Sequence, residues 1–251
     1  MKPIFIPTKG RFNNCKTAEL LGSISNLWLV VEPQELEKYK ANYSDFNYIE
    51  LPENDKGITY VRNFILNFSH QMGYDWFWML DDDISGIFRR EGTKLIRDNN
   101  ALYSAEDLID DNTGQVSLEY RQFAWSASRD FILNNYNDVC VCINSKKAIE
   151  NNISYREYVS LKEDRDFTMQ VIKSGLDVKR STLSSFSAPK NGSNEGGLKN
   201  VYDTSGRELE ASKRMVELWG ENICKLQIKS DGRKDVKIIW KEINSTQISL
   251  F

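Results

Sequence analysis

Three consecutive aspartates, Asp81-Asp82-Asp83, follow directly on the apolar run Trp76-Phe77-Trp78-Met79-Leu80. Side chains two apart on an extended segment point the same way, so Asp81 and Asp83 can share one target. Carboxylates this close together need raised pKa values or a cation to coexist. An all-oxygen set suits a hard divalent ion, Mg²⁺ or Mn²⁺, which is usually held by one or two carboxylates plus substrate phosphates. A solvated turn would use the same residues, but the buried strand before them argues for a metal–phosphate site. A second group of acids, Glu163, Asp164 and Asp166, opens a segment with helical spacing that ends at Gly175. Acids stabilise a helix N-terminus whatever else they do. If one of them is aimed into a cleft it can act as a general base, and Asp164 is the first choice, with Glu163 next.

Anion-binding chemistry lies nearby in the chain. The loop Pro7-Thr8-Lys9-Gly10-Arg11 follows a short strand and precedes a helix capped by Asn13 or Asn14. A strand–loop–helix of this kind presents backbone N–H groups at the ligand edge of a sheet, and Lys9 and Arg11 add cationic donors there. Glu32 ends a second buried strand and can accept hydrogen bonds from a base or ribose, or simply serve as an N-terminal helix acid. Arg62 and Asn63 fall off the apolar stripe of a helix, where an Arg can pair with phosphate and an Asn with sugar hydroxyls. A solvated helix face would use the same residue types.

The elements needed to hold these groups are legible in the periodicity. Short apolar runs at Ile4–Ile6, Leu27–Val31, Tyr48–Leu51 and Trp76–Leu80 alternate with helical patterns. That order predicts a parallel sheet with right-handed crossovers, and open α/β sheets bind ligands beyond the carboxyl ends of their strands. Residues 85–115 read as a less regular surface excursion, and a helix is expected from Arg129. A strand is expected over Val139–Ile143, with Cys140 and Cys142 on one face and Ser145 capping the helix that follows. Leu176–Arg180 reads as another strand. The Ser-, Gly- and Asn-rich stretch 184–200 reads as a mobile lid, Glu208–Trp219 as a helix and 236–243 as an edge strand. The basic residues at 89–97 can meet an anionic acceptor or stay solvated. Lys225, Lys229, Arg233, Lys234, Lys237 and Lys241 can track a phosphate backbone or protect a strand edge.

Composition narrows the class. The chain has 251 residues, 40% of them hydrophobic and 12% aromatic, enough for a sizeable core. Its net charge of -3 excludes a polycation, so any nucleic-acid contact must come from local patches. The 4 Cys include no CxxC pair, and the single His70 cannot complete a zinc set. Four reduced, buried thiols and a cytoplasmic protein are the expectation. The N-terminus looks like the first strand rather than a signal peptide, and no apolar run is long enough to span a bilayer.

Taken together, the opening block Ile6-Pro7-Thr8-Lys9-Gly10-Arg11, Lys56-Gly57 with Arg62-Asn63, the Asp81-Asp82-Asp83 triplet and Glu163-Asp164 with Asp166-Phe167 resemble the GT-A glycosyltransferases. Within that fold the sequence is most similar to the TET-associated glycosyltransferases of bacteriophages. The resemblance covers most of the chain and implies an α/β fold, a single GT-A (Rossmann-like) domain over 1–251 with a mostly parallel central sheet flanked by helices. Residues 1–84 would form the nucleotide-sugar-binding half. Residues 85–251 would form the acceptor-binding half, with the catalytic acid and a basic C-terminal segment. The resemblance further implies that Pro7, Thr8, Lys9, Arg11, Glu32, Arg62, Asn63, Asp81 and Asp82 meet a nucleotide-sugar donor. Asp83 and Asp81 would hold Mn²⁺ or Mg²⁺, a role left to them and the diphosphate because no histidine follows His70. Asp164, or Glu163, would deprotonate an acceptor hydroxyl, giving inversion. Arg89, Arg90, Trp125 and Asn194 would meet the acceptor, double-stranded phage DNA containing 5-hydroxymethylcytosine, in the host cytoplasm. A polysaccharide, lipid or protein acceptor, or a silent GT-A-like binding module, are the alternatives.

Overall fold

The computed structural model of the protein describes residues 2–189, 206–229 and 232–245. The first half alternates as its periodicity requires: β1 Ile4–Pro7, α1 Lys16–Leu21, β2 Leu27–Val31, α2 Leu36–Asn42, β3 Asn47–Glu50, α3 Ile58–Gln71 and β4 Trp76–Leu80. These four strands are parallel, in the order β3-β2-β1-β4. The second half adds β5 Gly86–Glu91, β6 Lys94–Arg97, α4 Ala101–Ser104, β7 Thr113–Tyr120, α5 Arg121–Ala124, β8 Phe131–Leu133, β9 Cys140–Asn144, α6 Ser145–Glu150, α7 Glu163–Lys173 and β10 Asp177–Ser187. They extend the sheet in the order β4-β9-β7-β10-β5-β6, with β8 on β10. Among the described residues, β9, β5 and β8 run against the other strands of this 10-stranded sheet. The result is the α/β architecture expected, a mostly parallel sheet between helices.

Both faces of the central strands are buried, and their side chains alternate between two cores, as a period of two demands. Phe5, Phe77, Met79, Val141 and Ile143 face one core, with Phe167 and Ile172 of α7. Ile4, Ile6, Trp78, Leu80, Cys140 and Cys142 face the other. All four cysteines are buried and reduced. No helix of the described residues is long and apolar enough to cross a membrane.

Several local expectations are corrected. Residues 86–97 form a hairpin, β5–β6, rather than irregular structure. No helix starts at Arg129; the segment pairs as β8 with β10, and the Thr182 N–H donates to Asp130. The cap of α6 is Asn144, whose side chain accepts from the Lys147 N–H, and not Ser145. Residues 184–187, read as the start of a loop, lie inside β10, because β5 and β7 pair with the two edges of that segment. Its small side chains, Ser184 and Ser185, are buried between them. Asn194 and the rest of the expected lid lie outside the described residues. The C-terminal part is α8 Arg207–Trp219, β11 Cys224–Ile228, β12 Lys234–Ile238 and α9 Trp240–Ser245. The edge strand expected over 236–243 therefore starts earlier, stops at Ile238 and pairs with β11, which the sequence pattern did not reveal.

Candidate active site

The strand ends bring the chemistry to one edge of the sheet. Asp81, Asp82 and Asp83 follow β4, the loop carrying Thr8, Lys9 and Arg11 follows β1, and Glu32 follows β2. Alternation turns Asp82 away from its neighbours and into the fold. It is buried, accepts from Thr8 Oγ1 at 2.7 Å and pairs with Arg11. The same guanidinium lies 3.1 Å from Asp83. Thr8 is in turn joined to the Tyr39 hydroxyl, which also accepts from the Arg11 N–H. Arg11 thus sits where it can neutralise the triplet, and its side chain is shielded enough for that charge to count.

Asp81 lies on the other side of the triplet. Its N–H donates to Val139 O at 2.8 Å and its carboxylate lies 3.4 Å from Arg62 Nη2. Removal from water pushes this carboxyl up to about 7; repulsion from Asp83 and Asp82 adds to the shift while Arg62 opposes it. Arg62 is itself buried and bridges to Glu163 at 2.9 Å, tying α3, the end of β4 and the start of α7 together. Glu163 is closed in beneath that bridge, and burial raises its pKa to about 7 against the pull of Arg62. Asp164, one residue on, lines a recess with Asp81, Arg62, Tyr155, Gln115, Asn137 and Asp138. Of the two acids at the start of α7, Asp164 therefore reaches the open side and Glu163 holds Arg62.

Asp138 was not singled out by its sequence context. It precedes β9, whose antiparallel course returns it to the same edge as the ends of β4 and β7. Burial and then repulsion from Asp164 raise its pKa, while the Tyr120 hydroxyl, donating at 3.1 Å, pulls it down. Next to it, Val139 has φ 56°, and Leu161, two residues before Glu163, has φ 77°. Left-handed backbone is costly for a β-branched or branched-chain residue, and such strain gathers at functional sites where the surroundings over-determine it. Here it sets the carbonyl that receives the Asp81 N–H.

Other expected site residues are held in ways their types did not reveal. Lys9 pairs with Glu32 at 2.8 Å and also with Asp55, while Glu32 is buried and further accepts from Gln34 and from the Asp55 N–H. Pro7 is the last residue of β1. Asn63 donates to Tyr155 O at 2.7 Å and accepts from the Tyr155 N–H at 2.9 Å, so its amide clamps backbone. Arg89 pairs with Glu91 and Asp98, and Arg90 donates to the carbonyls of Ala127 and Arg129. Trp125 stands 53% exposed.

The divalent ion implied by the triplet can be tested against these residues. Among the described residues no three His, Cys, Asp or Glu side chains converge as a ready cage. Asp82 is buried between Thr8 and Arg11, whereas Asp81 and Asp83, each beside one of the two guanidiniums, are the more exposed carboxylates. Two carboxylates suit a Mg²⁺ or Mn²⁺ that takes its remaining oxygens from a diphosphate and water. The residues fit a shared ion, not a protein-only cage.

The family model of the TET-associated glycosyltransferases matches residues 2–196. The chain belongs to the TET-associated glycosyltransferase family. Comparison with curated proteins gives no match. Among solved structures, S. aureus TarS 1–349 is similar at 14% identity and a TM-score of 0.49, covering 86% of this chain and 66% of that one. Its complex with UDP-GlcNAc is similar at 15% identity and a TM-score of 0.49, over 86% and 67% of the two chains. A CMP:2-keto-3-deoxy-manno-octonic acid synthetase complexed with CTP is similar at 12% identity and a TM-score of 0.45, over 85% and 100%. This chain thus spans about two thirds of the TarS fragment. At these scores the solved structures carry no argument about the site, which rests on the family and on the geometry above.

Proposed function

We propose that this protein moves a sugar from a nucleotide-sugar donor to an acceptor hydroxyl. The observation that carries the reading is the convergence, in a chain of this family, of Arg11 and Arg62 on the Asp81–Asp83 carboxylates, with Asp164 in the same recess. Lys9 and Arg11 lie on the β1 side, where the donor diphosphate would be met, and Glu32 would face ribose or base. Asp83 and Asp81 would hold Mn²⁺ or Mg²⁺ with the diphosphate, supplying positive charge to the leaving group. Arg11 and Arg62 stabilise the same developing charge. Asp164 takes the proton of the acceptor hydroxyl as its oxygen bonds to the anomeric carbon. The bond from that carbon to the donor phosphate breaks with its electron pair leaving on the nucleoside diphosphate, and the configuration inverts.

The acceptor in this reading is 5-hydroxymethylcytosine in phage DNA, as the resemblance of the sequence implies. A polysaccharide, lipid or protein acceptor is the second reading, favoured by one observation: Arg89 and Arg90, expected to meet DNA, are engaged within the fold. The deciding experiment is mass spectrometry of nucleosides from hydroxymethylcytosine DNA incubated with protein, Mn²⁺ and a panel of nucleotide sugars. A sugar mass on the modified base alone is expected, and it should vanish with a folded Asp83→Ala variant. Metal-dependent release of nucleotide with no mass added to DNA would move the acceptor to another class. An active Asp83→Ala protein would remove the metal role.

A further inference from the structure

The strand order lays the ligand edge out as a line. From β2 to β10 it runs Glu32, then Lys9 and Arg11, then Asp81–Asp83, then Asp138, then Tyr120 at the end of β7 and Ser187 at the end of β10. Groups suited to an anionic donor lie on one side of the carboxylates. On the other side a groove of about 570 Å³ opens, walled by Tyr120, Arg121, Gln122, Trp125 and Phe186. Among the described residues no carboxylate lines it. Trp125, just after α5, is 53% exposed, and Phe123, within α5, 51%. Large rings left in water beside a pocket are a recognition surface rather than a folding one. Tyr120 connects this groove to the chemistry: its ring packs on Phe186 at 4.6 Å and its hydroxyl donates to Asp138, which lines the recess of Asp81 and Asp164.

We propose that this groove takes the acceptor as an unpaired nucleotide, with the base against Trp125, Gln122 at the base edge and Arg121 at a flanking phosphate. The proposal rests on the glycosyl-transfer reading above and adds how the acceptor is held. Aromatic faces, an amide and a guanidinium without carboxylates are the chemistry of a planar hydrogen-bonding ring carried on an anionic backbone. A base stacked in a duplex has both faces covered, whereas one out of the stack offers a face to Trp125. The groove has the volume of a small-ligand pocket, which suits one nucleotide and not a duplex.

The test is fluorescence anisotropy with a labelled 12-nucleotide single strand carrying one 5-hydroxymethylcytosine, and with the same strand annealed to its complement. The full chain is compared with Trp125→Ala, Trp125→Phe and Arg121→Gln, all exposed positions; because Arg121 also stacks on the Phe88 ring, thermal unfolding of each variant is measured alongside. Wild type should bind the single strand at least as tightly as the duplex. Loss of one stack should weaken binding about 5-fold to 100-fold in Trp125→Ala, and Trp125→Phe should restore most of it. Arg121→Gln should flatten the salt dependence by about one phosphate contact. Equal single-strand binding by wild type and Trp125→Ala overturns the proposal, as does binding to duplex alone. Calorimetry with UDP-glucose and UDP-N-acetylglucosamine on the same proteins reports the donor side separately. Unchanged donor binding in Trp125→Ala is expected, and a donor defect in that variant would put the groove on the donor path and overturn the assignment.

Discussion

Arg62 sits between two carboxylates from different parts of the chain, Asp81 and Glu163. A buried pair adds little net stability, but removing one partner strands the other. Arg62→Ala should cost about 3–5 kcal/mol in urea unfolding, and the Arg62→Met, Glu163→Gln double variant should regain most of that. A single variant as stable as wild type would show that the bridge is solvated. The cost also has a pH sign. Without Arg62 the Glu163 carboxyl is raised still further above its unfolded value, so the folded state binds the extra proton and stability falls as pH rises from about 4 towards that raised value. Asp164 stands in the recess without that structural duty. Asp164→Asn should keep donor binding by calorimetry while turnover drops about 10²–10⁴-fold. Near-normal turnover would pass the base role to another acid, with Asp138 next in the same recess.

At the scale of elements, α7 presents these acids, and the helix is fixed near its end by β7 and at its start by β12. Gly114 on β7 lets the helix lie close; a Cβ there would meet Val171 Cγ1 at 2.7 Å. On the far side Asp235 of β12 is fully buried and receives Lys162 at 2.8 Å, Arg165 at 3.0 Å and Lys229 at 2.6 Å. Burial alone would raise the Asp235 pKa, but Arg165, Lys162 and Lys229 outweigh it and hold the carboxyl well below the usual range. A depressed folded-state pKa stabilises above the unfolded value of about 3.9 and is lost as pH falls below it. Asp235→Asn should therefore destabilise by about 3–5 kcal/mol at neutral pH, with the gap from wild type closing below about pH 4. Thermal unfolding at several pH values checks this, and a gap independent of pH would contradict it.

Across the whole molecule, the family match ends at residue 196. The core does not: Met215, Cys224, Val236 and Ile243 share a cluster with Phe167 and Ile172. A chain truncated after residue 196 would bare that apolar surface and leave Lys162 and Arg165 without Asp235. It should lose cooperative unfolding by calorimetry; a truncated chain melting like the full one would make the C-terminal part an appendage. The basic residues of this part are divided in their use. Lys225 stands opposite Lys237 on the exposed β11–β12 ribbon, and Lys229 turns inward to Asp235. With a net charge of -3, only such local patches can meet a polyanion.

The alternating elements of the first half and the placing of the aspartates after β4 were legible in the chain, because apolar period and strand-end position are local properties. So was the pairing of Cys140 with Cys142 on one face. The division of labour between Glu163 and Asp164 was not: neighbours on a helix point about 100° apart, and which one meets the cleft depends on how α7 docks. Asp138 carries no local pattern and becomes a site residue only because β9 returns antiparallel to the ligand edge. Asn63 and Arg90 read as ligand-binding types, yet Tyr155 and Ala127 hold them. By itself the sequence determined which strands exist and which charges stand at their ends. Only the tertiary structure decided which charges face each other and which remain for a ligand, because those pairings join residues far apart in the chain and are set by strand register and helix docking rather than by local spacing.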